Sequence, residues 1–594
     1  MTSVATALAV TLAWVILALA PQTRRWSDRQ WAVAVIGVLA LSYAGQALSM
    51  SIFYNGGQGD DRYQLAFVEV VSQGRIFDDY FNLGVEGHYP PLVFWLGGLI
   101  DWVTGSGAVT ALRWLPLPVI VGTASLIAWT SAKTKSSPTL ALIIALGMGS
   151  FLVSYLTTFG PTRGLWALLI VKPQQVLGGA MAVAFAVLPV AGRGMSRRSR
   201  ILVGSALFAG IMLTIPLYLP IAASGGAAAI LKRHRLGGDP GSSRKSFMEL
   251  AVAMVAGIAL TGFYWLPLLR AFADGNWQNN YIYWQSIDSL DPSRWTVGFA
   301  FGVPVVAGVL AIRRYDDPQT WALAGLSFVS GLIYASAYVT YPLFGISFLA
   351  WWAPIPASIA LSILAARYLR DWLELRFSAG PIDISFRRAR WPALMLVAAL
   401  ILPLANWNTL TDPQLERAHD AFNIDLVEGS RVLHEELDQN RTFVTGSDSL
   451  LLAGMSGRSL TVVPHAFYAN PMARTGERRA DVEALLADPN CSRTFEMVGR
   501  WKMGALVAEV IPVTGGAPVA GPAQGGQPAR QTTENVAAKS LGISFLDPAK
   551  TFSPEKVGVT TYVPLSPKVN SEQCWRLAYL GDTLAIYLVN SPEG

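Results

Sequence analysis

Residues 31–63 read WAVAVIGVLALSYAGQALSMSIFYNGGQGDDRY. An apolar block long enough to cross a bilayer ends in closely spaced glycines and two adjacent carboxylates, Asp60 and Asp61, followed by Arg62. A helix needs about 20 apolar residues to span the hydrocarbon layer, so the abrupt change to charge marks a membrane boundary. Similar blocks recur near 4–20, 113–131, 138–158, 173–191, 247–269, 295–312, 320–338, 344–366 and 391–408. The stretch 201–231 is interrupted by Pro216 and Pro220 and ends in Lys232, Arg233 and Arg235. It reads as two short helices turning back near the prolines, because a ring without an N–H breaks a helix interior. The pattern predicts a polytopic α-helical membrane protein with about 11–13 transmembrane helices. Composition agrees: 52% of the 594 residues are hydrophobic and 14% charged, against roughly 25% charged in soluble domains. A soluble multidomain enzyme, a disordered scaffold and a single-pass receptor are excluded. The block at 4–20 lacks a basic flank before it and is followed by Pro21 and Arg24, so it reads as a retained span rather than a cleaved signal peptide.

The net charge of +6 does not call for nucleic acid, since the basic residues sit in short clusters between apolar blocks. These are Arg24 to Arg29, Lys133 and Lys135, Arg193 to Arg200, Lys232 to Lys245, Arg313 and Arg314, and Arg367 to Arg390. With the spans above they share one face, which the positive-inside rule makes cytoplasmic. Loops 54–112, 159–172 and 270–294 and everything after residue 408 then lie outside. The chain divides into a membrane part, 1–408, and a soluble extracytoplasmic α/β or α+β domain, 409–594, with β-rich runs at Arg441 to Thr445 and Leu584 to Val589. Within the latter, residues 512–538 are rich in Gly, Pro and Ala and are expected to form a flexible surface loop. Cys491 and Cys574 lack metal-type spacing. They read either as a disulfide of an oxidising compartment or as two separate thiols.

The candidate chemistry lies in the outward loops. In Gly56-Gly57-Gln58-Gly59-Asp60-Asp61-Arg62-Tyr63, one carboxylate can accept a proton from an attacking hydroxyl while the other orients that group or binds a cation. The same residues also read as the N-cap of an amphipathic helix from Tyr63 to Gln73. The loop continues to Glu86-Gly87-His88-Tyr89-Pro90-Pro91; His88 suits a phosphate or a sugar hydroxyl, and equally a structural position before a proline-led helix. Arg163 and Lys172 oppose the positive-inside trend and suit a phosphate at headgroup level, or else snorkel to ordinary lipid. Lys172 leads through Pro173-Gln174-Gln175 into a span, which puts these amides near the bilayer surface. Loop 270–294 interleaves Trp277, Tyr281, Tyr283 and Trp284 with amides such as Asn280. Aromatic faces stack on sugar C–H groups and amides bond their hydroxyls, though an interfacial aromatic belt also explains the rings. The histidines at 419, 434 and 465 lack metal-site spacing. Nucleotide-loop, GxSxG, HExxH and Walker motifs are missing, which argues against a nucleotide-sugar or ATP-driven enzyme.

Many spans, an acidic pair in the first large outward loop and an outer C-terminal domain resemble the GT-C glycosyltransferases. More narrowly, GDDRYQ after the second span and GHYPPLVFW further along resemble the actinobacterial galactan 5-O-arabinofuranosyltransferases, the AftA family. That resemblance implies transfer of arabinofuranose from decaprenyl-phosphoryl-arabinose to the 5-hydroxyl of galactofuranose in lipid-linked galactan, with inversion. The chain would sit in the plasma membrane with its active site outside, among membrane lipids and with no nucleic-acid partner. Asp60 would be the base and Asp61 would orient the acceptor or share a cation, with the reverse assignment open. Arg62, Arg163, Lys172, His88 and Tyr89 would hold the donor phosphate, and Trp277, Asn280, Tyr281, Tyr283 and Trp284 the acceptor. Some GT-C enzymes place a divalent cation at the acidic pair; here Arg62 follows directly and partly neutralises it, so a cation at Asp60 and Asp61 is left open. The alternatives are another polyprenyl-phosphate-dependent mannosyl- or arabinosyltransferase, a flippase, or a non-catalytic assembly protein. A flippase predicts mid-span ionisable residues and two related halves, which the sequence does not display.

Overall fold

The computed structural model describes residues 26–49, 61–148, 172–191, 194–236, 240–274, 309–344, 352–378 and most of 424–590 apart from 512–539 and 547–559. The expected spans at 4–20 and 391–408, the domain boundary near 408, the aromatic loop 275–294, Arg163 and the segment 512–538 lie outside these residues.

The membrane part is built around the helix Pro173–Ala191, which matches its predicted limits and is buried along nearly its whole length. Proline opens it, where a missing N–H costs nothing. Its small residues let neighbours close in: a Cβ on Gly178 would lie 2.7 Å from Thr214 Oγ1, and one on Gly179 3.1 Å from Ile355 Cγ2. Helices Pro116–Lys133, Arg197–Met212, Tyr218–Arg235, Pro318–Phe344 and Pro354–Ser378 pack around it. Among the described residues, Ala108–Lys133 and Pro173–Ala191 are long and apolar enough to cross a bilayer. The doubtful stretch is two helices, Arg197–Met212 and Tyr218–Arg235, broken before Pro216.

Two expected spans differ. The block 247–269 is one apolar run in sequence but a broken helix in space, with Gly241–Leu260 and Gly262–Ala273 meeting at 73°. Thr261 Oγ1 turns back to the carbonyls of Gly257 at 2.9 Å and Ile258 at 3.1 Å, and Pro267 follows inside the second helix. Hydropathy reads neither the break nor its cause. The block at 344–366 is displaced: the helix runs Pro354–Ser378, carrying charged residues past the predicted end. Arg367 pairs with Asp317 at 2.7 Å and Arg370 with Asp371, so the polar end of the helix stays bonded.

In the C-terminal part the long strand β3 (Met503–Ile511) is central. Along one edge it pairs antiparallel with β7 (Leu584–Val589), which also pairs β6 (Trp575–Leu580). Along the other, β1 (Thr442–Val444) runs parallel to its first half and β4 (Ser540–Leu546) antiparallel to its end. β2 (Ser459–Leu460) lies beside β1, and β5 (Thr560–Pro564) beside β4. Helices Thr475–Ala487 and Cys491–Trp501 contribute to the core on one side of the sheet. On the other side the sheet meets the segment 61–112. Phe443, Ala505, Val507 and Ile586 share a core with Leu65, Phe67, Val68, Phe94 and Leu112.

That junction is close. A Cβ on Gly454 would fall 2.7 Å from the backbone nitrogen of Ala66, and one on Gly98 would fall 2.3 Å from Val71 Cγ1, so glycine alone permits these crossings. The loop also adds to the sheet edge, where Leu460 N–H donates to the Phe81 carbonyl at 2.6 Å. The cysteine alternatives resolve in favour of the disulfide: Cys491 and Cys574 are bonded, closing 83 residues of separation and tying the helix Cys491–Trp501 to the segment before β6. Cys491→Ala with Cys574→Ala is expected to cost about 2–5 kcal/mol, read as a lower unfolding midpoint. The unreduced wild type should show no maleimide-reactive thiol.

Candidate active site

The helix Asp61–Ser72 begins at the second residue of the acidic pair, close to the predicted amphipathic segment. Tyr63, in its first turn, is buried, with its ring 5.2 Å from that of Tyr89 and 6.0 Å from that of Phe94. Phe67 lies one turn further along and stacks on Phe94 at 4.6 Å. The hydroxyls of Tyr63 and Tyr89 are 3.2 Å apart. Gln174 comes up from the N-terminus of the central membrane helix, and its Nε2 reaches Tyr63 Oη at 3.3 Å and Tyr89 Oη at 3.4 Å. Three segments far apart in sequence thus meet: the residues after the acidic pair, the turn after His88, and the amides after Lys172. Leu177, one turn on from Gln174, packs against both the core of the membrane part and the core shared with the C-terminal sheet, so the meeting point is the seam between them.

Beneath it lies a buried carboxylate. Asp79 Oδ1 accepts from the backbone N–H groups of Phe81 at 3.0 Å and Asn82 at 2.8 Å, and from Asn82 Nδ2. Oδ2 accepts from His88 Nδ1 at 3.2 Å and from Asn470 Nδ2 at 2.9 Å. Burial pushes this carboxyl upward, but the hydrogen bond and charge of His88 and the bonds from Asn82 outweigh it, and its pKa lies below the usual carboxylate value. An ionised carboxylate only accepts, which fixes the His88 proton on Nδ1. Asn470 Nδ2 also donates to the Glu86 carbonyl at 2.8 Å. The C-terminal domain therefore holds the loop from below, while Tyr264 Oη donates to the His88 carbonyl at 3.1 Å. Tyr264 lies on the helix that leads into the aromatic loop. A second seam lies at Glu69, where burial raises the carboxyl pKa against the hydrogen bond from Gln73 and the charges of His434 and Arg458.

Of the residues singled out from the sequence, Tyr89 stands at the seam, with Arg62 beside Tyr63 in chain order and Lys172 directly before Pro173, both half-buried. His88 is turned inward onto Asp79, a partner within the protein, because the buried carboxylate needs a donor. Asp60, the Asp61 carboxylate, Arg163, Trp277, Asn280, Tyr281, Tyr283 and Trp284 lie outside the described residues. Among the described residues no group of three His, Cys, Asp or Glu side chains converges to hold a metal. Sequence reasoning missed Asp79, Asn82, Tyr264 and Asn470, and it named Tyr63 only as the start of a helix and Gln174 only as an amide near the bilayer surface. A second DD pair, Asp78-Asp79, stands in the same loop and was the available signal for one of them; nothing in the sequence marks Asn470.

The fold is of the GT-C type: a helical membrane part carrying a large first loop, joined to a C-terminal part built on a sheet. No family model and no curated protein matches the sequence. Among solved structures the chain is similar to ArnT from Cupriavidus metallidurans bound to undecaprenyl phosphate, at 13% identity and a TM-score of 0.50 over 81% of this chain and 93% of that one. It is similar also to the AglB oligosaccharyltransferase of Archaeoglobus fulgidus in complex with an inhibitory peptide and a dolichol-phosphate, at 13% identity and a TM-score of 0.47 over 81% and 70%. At such identity the path of the chain is what is shared.

Asp79→Leu is expected to destabilise the protein by about 3–5 kcal/mol, because it leaves His88 and Asn470 buried without their acceptor. The pKa of Asp79 is lower folded than unfolded, so its contribution is complete above an unfolded value of about 3.9 and disappears as pH falls through the folded value. Unfolding midpoints followed down to about pH 3 should fall on this limb for wild type, and Asp79→Asn should lack that part of the slope.

Proposed function

We propose that this chain is an inverting membrane glycosyltransferase that takes its sugar from a polyprenyl phosphate and works at the outer face of the plasma membrane. The observation that carries the reading is the meeting of Tyr63, Tyr89 and Gln174 at the seam, with the acidic pair preceding the first and Lys172 the last. A lipid-linked donor must present its phosphate where membrane and water meet, and the place of Gln174 in the first turn of an apolar helix long enough to span a bilayer supports this reading. The disulfide fits an oxidising, extracytoplasmic location for the C-terminal domain.

The finer reading follows the GDDRYQ and GHYPPLVFW motifs: decaprenyl-phosphoryl-arabinose as donor and the 5-hydroxyl of galactofuranose in lipid-linked galactan as acceptor. Asp60 takes the proton of that hydroxyl, with Asp61 holding it. The oxygen bonds to the anomeric carbon from the face opposite the phosphate, and the C–O bond to decaprenyl phosphate breaks, so one displacement inverts the centre. Arg62 and Lys172, with Arg163, stabilise the charge growing on the departing phosphate. A mannosyl or other arabinosyl transfer from the same class of donor is the second reading.

The test uses detergent-purified protein, radiolabelled decaprenyl-phosphoryl-arabinose and a short galactofuranose acceptor. Asp60→Asn or Asp61→Asn is expected to lower transfer by about 100-fold or more, within the range of general-base catalysis. Equal transfer by wild type and both variants would put the chemistry elsewhere, and transfer from another lipid-linked sugar alone would overturn the arabinose assignment. A chelator arm decides whether a divalent cation takes part.

A further inference from the structure

Gln174 and Gln175 occupy the first turn of the central membrane helix, and both are essentially inaccessible, at 0% and 1% exposed. Buried amides normally have their polar atoms bonded, since each one left unmade carries a desolvation cost. Here, among the described residues, Oε1 of Gln174 and Oε1 of Gln175 are both without a hydrogen-bond partner. The other end of the Gln174 amide is held by two tyrosine hydroxyls, at 3.3 and 3.4 Å, so its orientation is set by groups on the outer loop. A pair of orphaned acceptors at the seam of two cores is costly to stability and is explained if something else supplies the donors.

We propose that Gln174 and Gln175 form a hydroxyl-recognition pair that selects the sugar of the substrate; this rests on the glycosyltransferase reading above. The ionised phosphodiester of a lipid-linked sugar offers only acceptors and would face the amide oxygens unfavourably, whereas a hydroxyl both donates and accepts and satisfies an amide whichever end it meets. The pair therefore reads the sugar, while the cations read the phosphate. A site built to bond a hydroxyl rejects ligands lacking it more strongly than a hydrophobic pocket rejects an extra methylene, so these two amides set specificity more than overall affinity. The hydroxyl belongs either to the donor sugar or to the acceptor sugar.

The experiment measures binding to wild type, Gln174→Met and Gln175→Met in detergent, with three probes: bare decaprenyl phosphate, decaprenyl-phosphoryl-arabinose and a short galactofuranose oligosaccharide. Methionine keeps the length of the side chain and removes its polar end, and Gln175→Met leaves the Tyr63–Gln174–Tyr89 bonds in place. Wild type is expected to favour the arabinose lipid over the bare lipid by about tenfold, equivalent to about 1.4 kcal/mol. Loss of that preference in the variants, with bare-lipid affinity kept, assigns the hydroxyl to the donor. Loss of oligosaccharide affinity instead assigns it to the acceptor. Variants that keep both, or that lose all three probes together with their thermal transition, overturn the proposal in favour of a structural role. Wild type binding the two lipids alike and the oligosaccharide not at all overturns it while leaving a polyprenyl-phosphate enzyme standing. Wild type binding neither lipid sinks that reading as well.

Discussion

The carboxylate of Asp79 is the constraint on which the first large loop and its junction with the C-terminal part depend. It is fully buried, and an ionised group there survives only if every lone pair finds a donor. Its donors come from its own turn, through Phe81 and Asn82, from the next turn through His88, and from the C-terminal domain through Asn470. The shape of the loop and its attachment to the C-terminal domain are thus one bonded unit. Because His88 is held there, Tyr89 next to it is delivered to the seam.

Close packing does the rest. Gly98 lets the helix Leu92–Thr104 cross Asp61–Ser72, and Gly454 lets the C-terminal helix Leu451–Ser456 reach the same helix from the other side. The helix that follows the acidic pair is therefore clamped between two partners, and Glu69 and Gln73 on it meet Gly457 and the charges of Arg458 and His434. The C-terminal domain is a wall of the loop as well as an appendage of the membrane part.

Much of the membrane part could be read in advance because lipid imposes a simple rule: a helix crossing it must be apolar over its full length. Pro173–Ala191 obeys that rule and was legible to the residue. The block at 247–269 was not, since the 73° bend at Thr261 goes with side-chain hydrogen bonds to the carbonyls of Gly257 and Ile258, which leave hydropathy unchanged. The candidate site was legible as three separate loops. Asp79 looked like one more polar loop residue and Asn470 like nothing in particular, because a hydrogen bond spanning nearly four hundred residues leaves no local pattern.

The amino-acid sequence by itself determined that this chain is built of apolar blocks suited to a membrane, that an acidic pair follows the second of them, and that a mixed polar C-terminal part contains both cysteines. Those properties follow from composition and local periodicity, which need no partner to be expressed. Only the tertiary structure decided that Cys491 bonds Cys574, that His88 faces Asp79, and that Tyr63, Tyr89 and Gln174 share one place. Each of these is a relation between residues distant along the chain, set by which cores close on one another.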